Sequence, residues 1–263
     1  MKIITDEEQK RLQLNILKSI HLFCIEHGLH YTLAYGTLIG AVRHNGYIPW
    51  DDDIDIAMPR QDYELFIHGY KNERYKLHCL ENDPDYLNAY AKVEDSRTMI
   101  DEEGSTKKLG VFVDVFPLDP LFDDPKDCKK LFGKVTFFRR LLVFRVLTKQ
   151  YFLCWWKRWI FIGGKIFLSF LSKRWLAEAI DGLAKSGNAN ALYWGMFAGS
   201  LKFAIITKTD LEEYVLHKFE DNDFYILSNY DHWLRQIYGE YMTPPPVDKQ
   251  KTVHFFNKVY WKE

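Results

Sequence analysis

Tyr35-Gly36-Thr37-Leu38-Ile39-Gly40-Ala41-Val42-Arg43-His44-Asn45-Gly46-Tyr47-Ile48-Pro49-Trp50-Asp51-Asp52-Asp53-Ile54-Asp55-Ile56 packs a turn, a short helix and an acidic strand into 22 residues. Tyr31 to Tyr35 reads as a short strand, Gly36-Thr37 as a turn, and Leu38 to His44 as a helical segment stopped by Asn45-Gly46. Ile54, Ile56 and Met58 then alternate with Asp53, Asp55 and Ala57, the period of a strand. On such a strand Asp51, Asp53 and Asp55 project to one side while the isoleucines enter the core. Four aspartates within five residues, with no Lys or Arg in the run, repel one another strongly when partly buried. A cation is therefore expected among them, and an all-oxygen ligand set suits Mg²⁺ or Mn²⁺. The bland alternative, a solvated acidic turn, is outweighed by the strict alternation with Ile.

Two further features sharpen this. Asp114 sits in the middle of the apolar run Val111 to Phe116, where a carboxylate is costly to bury without a metal or a donor; it is expected to be the third carboxylate. Gly36-Thr37, at a strand-to-helix turn, offers backbone N–H groups and a helix N-terminus to an anion such as phosphate. Alone that turn is weak evidence. Placed seventeen residues before Asp53-Ile54-Asp55 it forms the pattern of a nucleotidyltransferase-fold active site, in which the turn holds phosphates and the carboxylates hold the bridging metal.

Outward from this centre, Thr5-Asp6-Glu7-Glu8 has the form of a capping box, and Leu12, Ile16, Ile20 and Phe23 continue at helical spacing to Gly28. A helix is predicted over 6–27 and another over 60–70. Strands are predicted near 75–80, 89–94, 97–101 and 110–116, the last ending at Pro117; two or three amphipathic helices fill 126–185, and helical segments lie near 211–218 and 230–238. The fold class is mixed α/β (α+β): a nucleotidyltransferase-like core over 1–125, a basic helical insertion over 126–185, and a C-terminal part over 186–263 that completes the core. With 263 residues, 47% hydrophobic, 16% aromatic and 27% charged, the chain can bury an ample core, and disorder is excluded.

The net charge of −1 conceals an asymmetry. Residues 126–175 hold thirteen Lys or Arg against one acid, a formal +12; the rest of the chain, with 22 cations and 35 acids, carries −13. Nucleic acid, lipid head groups or an acidic partner could meet that basic segment. Trp155, Trp156, Trp159, Phe161, Ile162, Phe167, Leu168, Phe170 and Leu171, interleaved with Lys157, Arg158, Lys165, Lys173 and Arg174, favour an anionic membrane surface over nucleic acid. Three cations within 151–171 disfavour a transmembrane span. Met1 to Lys10 is polar and the four cysteines are scattered, so a reducing, cytoplasmic setting at the inner face of the membrane is expected.

The quoted run resembles the signature of the LicD family of phosphocholine transferases, whose eukaryotic relatives include the fukutin-related ribitol-phosphate transferases. The similarity extends to Val113-Asp114-Val115-Phe116-Pro117-Leu118-Asp119, to Phe219-Glu220, and to Tyr230-Asp231 with Tyr238-Gly239-Glu240-Tyr241-Met242 and Pro244-Pro245. The resemblance implies transfer of an alcohol phosphate, typically phosphocholine, from a CDP-activated donor to a sugar hydroxyl of a cell-surface glycan precursor of lipopolysaccharide or teichoic acid type, with CMP leaving. It further implies that Asp53 and Asp55 ligate Mg²⁺, that Asp51 supports them, and that Asp114 either completes the metal shell or accepts the hydroxyl proton. Gly36 and Thr37 would face the donor phosphates, with Arg43 and Lys92 as candidates to neutralise their charge. A choline head group calls for an aromatic cage, for which Trp50 and Tyr241 are weak candidates. Two alternatives share parts of this pattern: a nucleotidyltransferase that releases pyrophosphate, and a non-catalytic adaptor at the membrane surface.

Overall fold

The computed structural model describes residues 2–102, 108–147, 155–200, 202–251 and 256–262. Helix α1 (Asp6–His27) starts where Thr5, in extended backbone, accepts the Glu8 N–H, and stops where Gly28 takes a left-handed φ of 67°. Its stripe of Leu12, Ile16, Leu17 and Ile20 is buried in the main core. Strand β1 (Thr32–Leu33) is shorter than the predicted 31–35, because helix α2 (Tyr35–His44) begins at Tyr35 and takes Gly36 and Thr37 into its first turn. Strand β2 (Asp55–Pro59) starts two residues later than the alternation suggests. The carbonyl of Asp52 is claimed by the side-chain amides of Gln9 and Gln13, at 3.1 and 2.8 Å, so Asp51 to Asp53 run as a loop pinned to α1.

Helix α3 (Arg60–Gly69), strands β3 (Tyr75–His78), β4 (Ala91–Asp95) and β5 (Thr98–Glu102) follow close to their predicted places. Strand β6 (Phe112–Pro120) is the buried centre of the sheet and continues through Pro117, where a stop was expected. It pairs parallel with β2 along Asp114 to Leu118, but its antiparallel pairing with β4 ends at Val115 and that with β7 (Tyr193–Gly195) begins at Asp119. Pro117 lies in the gap between those two partners, where a missing N–H removes no ladder bond. The path β1-β2-β6-β4-β3, extended by β7 and β8 (Ile206–Thr207), makes a seven-stranded mixed sheet.

The basic segment forms α4 (Pro125–Val146), α5 (Trp155–Phe167) and α6 (Lys173–Ala184). Cys128, Leu131 and Val135 of α4 meet Leu176, Ala177 and Ile180 of α6 in a second apolar cluster with Leu121 and Phe197. Arg60 keys this layer to the sheet, reaching Asp119 through Nε at 2.6 Å and Nη2 at 3.0 Å and Asp181 of α6 at 3.5 Å. The predicted helix near 211–218 is instead strand β9 (Tyr214–Phe219), which pairs antiparallel with β10 (Asn222–Leu227). The β-branched and aromatic content of both segments, and a tight connection with Glu220 at φ 57°, favour the hairpin. Helix α7 (Tyr230–Tyr238) forms as predicted, and β11 (Phe256–Trp261) pairs with β5. Among the described residues no helix is long and apolar enough to cross a membrane. The thiols of Cys24, Cys79 and Cys128 are free and buried.

Candidate active site

Three adjacent strands carry three of the expected residues in one row. Asp55 of β2 is register-matched to Asp114 of β6, which is register-matched to Lys92 of β4. Register partners share a face of the sheet, so the three side chains stand side by side. Lys92 Nζ donates to Asp114 Oδ1 at 2.5 Å and lies 3.4 Å from the centroid of the Phe112 ring, and all three charged residues are buried. Asp55 is held by its backbone: its N–H donates to Thr37 Oγ1 at 2.9 Å and its carbonyl accepts the Ala34 N–H at 2.9 Å. Thr37 therefore couples the first turn of α2 to the first residue of the acidic strand.

The other aspartates gather beside this row. Carboxylate oxygens of Asp51, Asp52 and Asp53 lie within 4.8 Å of one another. A Cβ on Gly36 would come 2.4 Å from Asp51 Oδ2, so the absence of a side chain there gives Asp51 its place against α2. Burial, and then the negative fields of Asp53, Asp114 and Asp51, raise the Asp55 pKa well above the ordinary carboxylate range, with Lys92 opposing them. An all-oxygen cluster beside a buried, charge-penalised carboxylate fits a hard divalent cation: among the described residues Asp51, Asp52 and Asp53 are close enough to share one, and the expected ligands Asp55 and Asp114 adjoin them on the sheet.

The approach to the acids is supported from several elements. Glu220 accepts the Tyr47 N–H at 2.9 Å and donates its own N–H to the Asn45 carbonyl at 2.8 Å, fixing the loop that leads to the aspartates. Arg43 donates through Nη1 to the Tyr241 carbonyl and through Nε to His44 Nε2, so it tethers the C-terminal segment to α2. Tyr241 in turn donates its hydroxyl to Asp231 at 2.7 Å, and Trp50 packs against the main core. His254, another residue that draws notice in the sequence, lies outside the described residues.

Several contributors were not among the expected site residues, although Tyr35 and Tyr238 lie in the quoted stretches. Tyr35, at a φ of 45°, meets Phe116 edge-on with ring centroids 5.5 Å apart, and Tyr90 lies against the same Phe116 at 4.4 Å. The Tyr238 phenol on α7 has its pKa raised by desolvation and then by Asp55, Tyr35, Asp51 and Asp53, which places that hydroxyl in the field of the acids. Gln9 and Gln13 were legible in principle, as two amides one turn apart on the buried face of a helix.

A helix start latched to a carboxylate-bearing mixed sheet is the arrangement of a nucleotidyltransferase-type domain. Residues 28–141 match the family described as LicD/FKTN/FKRP, nucleotidyltransferase domain. The chain is 33% identical to the lipopolysaccharide cholinephosphotransferase LicD of Haemophilus influenzae across 97% of both chains. Shorter similarities reach an uncharacterized protein of Rickettsia typhi, at 35% identity over 27% of this chain, and the mannosyltransferase regulator 4 of Saccharomyces cerevisiae, at 29% over 43% of this chain and 10% of that protein. The chain belongs to the LicD/FKTN/FKRP family.

Proposed function

We propose that this protein transfers phosphocholine from CDP-choline to a sugar hydroxyl of a lipopolysaccharide-type glycan precursor, releasing CMP. The observation that carries this reading is the end-to-end match to the Haemophilus cholinephosphotransferase, supported by the Asp55–Asp114 row of this chain. Asp53 and Asp55, supported by Asp51, would hold Mg²⁺ (or Mn²⁺), with Asp114 completing the metal shell or accepting the hydroxyl proton. When bound, that ion would offset the negative charge that develops on the leaving oxygen of the donor diphosphate. Thr37 fixes the direction of Asp55 through the backbone, and the first-turn amides of α2 face the phosphates. Lys92 keeps Asp114 in place from the far side of the strand.

The helical layer supports work at an anionic membrane surface. Trp159, Ile166, Phe167 and Phe170 are exposed, from 67% to 77%, on a segment with a strong excess of cations. Phe161, expected on that face, is instead buried against Phe144, and Lys165, Arg145 and Arg174 turn inward to main-chain carbonyls. Lys126, Lys129, Lys130, Lys134 and Arg140 remain exposed to meet head groups. Cosedimentation with vesicles containing phosphatidylglycerol, and not with neutral ones, is the expected result.

Calorimetric titration with CDP-choline, with and without Mg²⁺, tests the donor and the metal together. Metal-dependent heat, followed by CMP rather than pyrophosphate on addition of glycan, is expected. Pyrophosphate as the product would make the protein a nucleotidyltransferase, and vesicle binding without turnover of any CDP donor would make it an adaptor.

A further inference from the structure

Helix α4 carries a buried charge without a counter-charge among the described residues. Arg139, on α4, has both terminal guanidinium nitrogens buried, and neither has a hydrogen-bond partner among the described residues. A guanidinium cannot shed its proton as a buried lysine can, so its desolvation is borne in full unless an anion arrives. The other basic residues near the acids are engaged: Lys92 on Asp114, Arg43 on the Tyr241 carbonyl.

Its position is as telling as its isolation. The guanidinium lies in the field of the Tyr35 and Tyr90 hydroxyls, and Tyr35 in turn feels Asp55. Tyr35 and Tyr90 both pack on Phe116, which is two residues from Asp114 on β6 and therefore on the same face of the sheet. Gly199 lets this wall close, since a Cβ there would come 2.3 Å from Phe116. Arg139 thus lies beside the Tyr35, Tyr90 and Phe116 rings that neighbour the acidic row, and among the described residues no carboxylate is bonded to its terminal nitrogens.

We propose that Arg139 is a phosphate-binding residue of the active site, its planar fork closing on the diphosphate of the donor from the side opposite the carboxylates. The fork presents two parallel N–H groups to two phosphate oxygens, a match that a lysine ammonium does not reproduce. The assignment builds on the diphosphate-donor reading above and adds a residue of α4 that lies within the matched domain but in none of the motifs quoted for it.

The test uses inorganic pyrophosphate and CDP-choline as probes, each with Mg²⁺, on the full chain and on Arg139→Met and Arg139→Lys. Without ligand, Arg139→Met should melt at the wild-type temperature or above it, because an unpaired buried charge has been removed. Pyrophosphate should raise the melting temperature of the wild type and not of Arg139→Met, with an affinity loss of about 30-fold or more, and Arg139→Lys should recover only part. Wild-type pyrophosphate affinity in Arg139→Met would overturn the assignment. So would a large drop in its ligand-free melting temperature with full pyrophosphate affinity in Arg139→Lys, the signature of a structural role. Pyrophosphate binding that depends on Arg139, in a protein indifferent to CDP-choline, keeps Arg139 and removes the choline donor. CDP-choline binding that ignores Arg139 keeps the donor and removes Arg139, and no response of the wild type to either probe removes both.

Discussion

Replacing Asp55 with Asn separates the cost of the acidic cluster from its use. Asp55 is buried, its nearest strand neighbour is Asp114, and its pKa is raised first by desolvation and then by Asp53, Asp114 and Asp51. At an inter-strand spacing of about 4.8 Å and an effective dielectric of about 20, one like-charge pair costs roughly 3 kcal/mol. Attraction to Lys92 offsets part of this, leaving a net penalty of about 1–3 kcal/mol. The backbone bond from Asp55 to Thr37 survives the substitution. Asp55→Asn should therefore melt higher than wild type in the absence of divalent ions, by roughly 3–8 °C for a chain of this size, while losing turnover and losing stabilisation by Mg²⁺ with CDP-choline. The same group sets a pH trend. Because its folded pKa lies above its unfolded value, the folded chain takes up a proton that the unfolded chain does not; metal-free stability rises as pH falls through the raised value, and this gain is complete once the pH is below about 4. Differential scanning fluorimetry in EDTA at pH 8 and pH 6 reads both effects. A lower melting temperature for Asp55→Asn at pH 8, or intact Mg²⁺-dependent activity, would refute the reasoning.

Thr37→Val leaves the buried Asp55 N–H without an acceptor and should cost about 1–3 kcal/mol together with most of kcat, whereas Thr37→Ser should restore both; urea melts and steady-state kinetics decide. Gly36→Ala places a methyl against the Asp51 carboxylate. It should leave the helix intact by circular dichroism while weakening Mg²⁺ binding in a calorimetric titration. Arg60→Met strands the fully buried Asp119 and should lose about 3–5 kcal/mol in chemical denaturation, with much of it regained when Asp119 is also made Leu.

The legible part of the fold followed from patterns that need only neighbours in sequence. The α1 cap at Thr5 and its stop at Gly28, the stripe of Leu12, Ile16 and Ile20, and the continuous apolar run of β6 each state a local preference that the tertiary structure satisfied. Strand β9 stands where the sequence predicts a helix near 211–218, since the pairing that makes it a strand comes from residues 222–227. Pro117 was read as a stop because the gap between two strand partners exists only in the sheet.

The candidate site divides along the same line. Asp51, Asp53, Asp55, Asp114, Gly36 and Thr37 could be named from spacing and from the cost of burying a carboxylate among Val and Phe, because both are properties of the chain itself. That Lys92 bonds Asp114, that Arg43 bonds a distant carbonyl, and that the terminal nitrogens of Arg139 are buried without a partner among the described residues depended on which strands lie adjacent and where α4 is laid down. Charge and hydropathy along a sequence fix what a residue must avoid; the partner it finds is set by contacts between segments far apart in the chain, and those exist only once the sheet has formed.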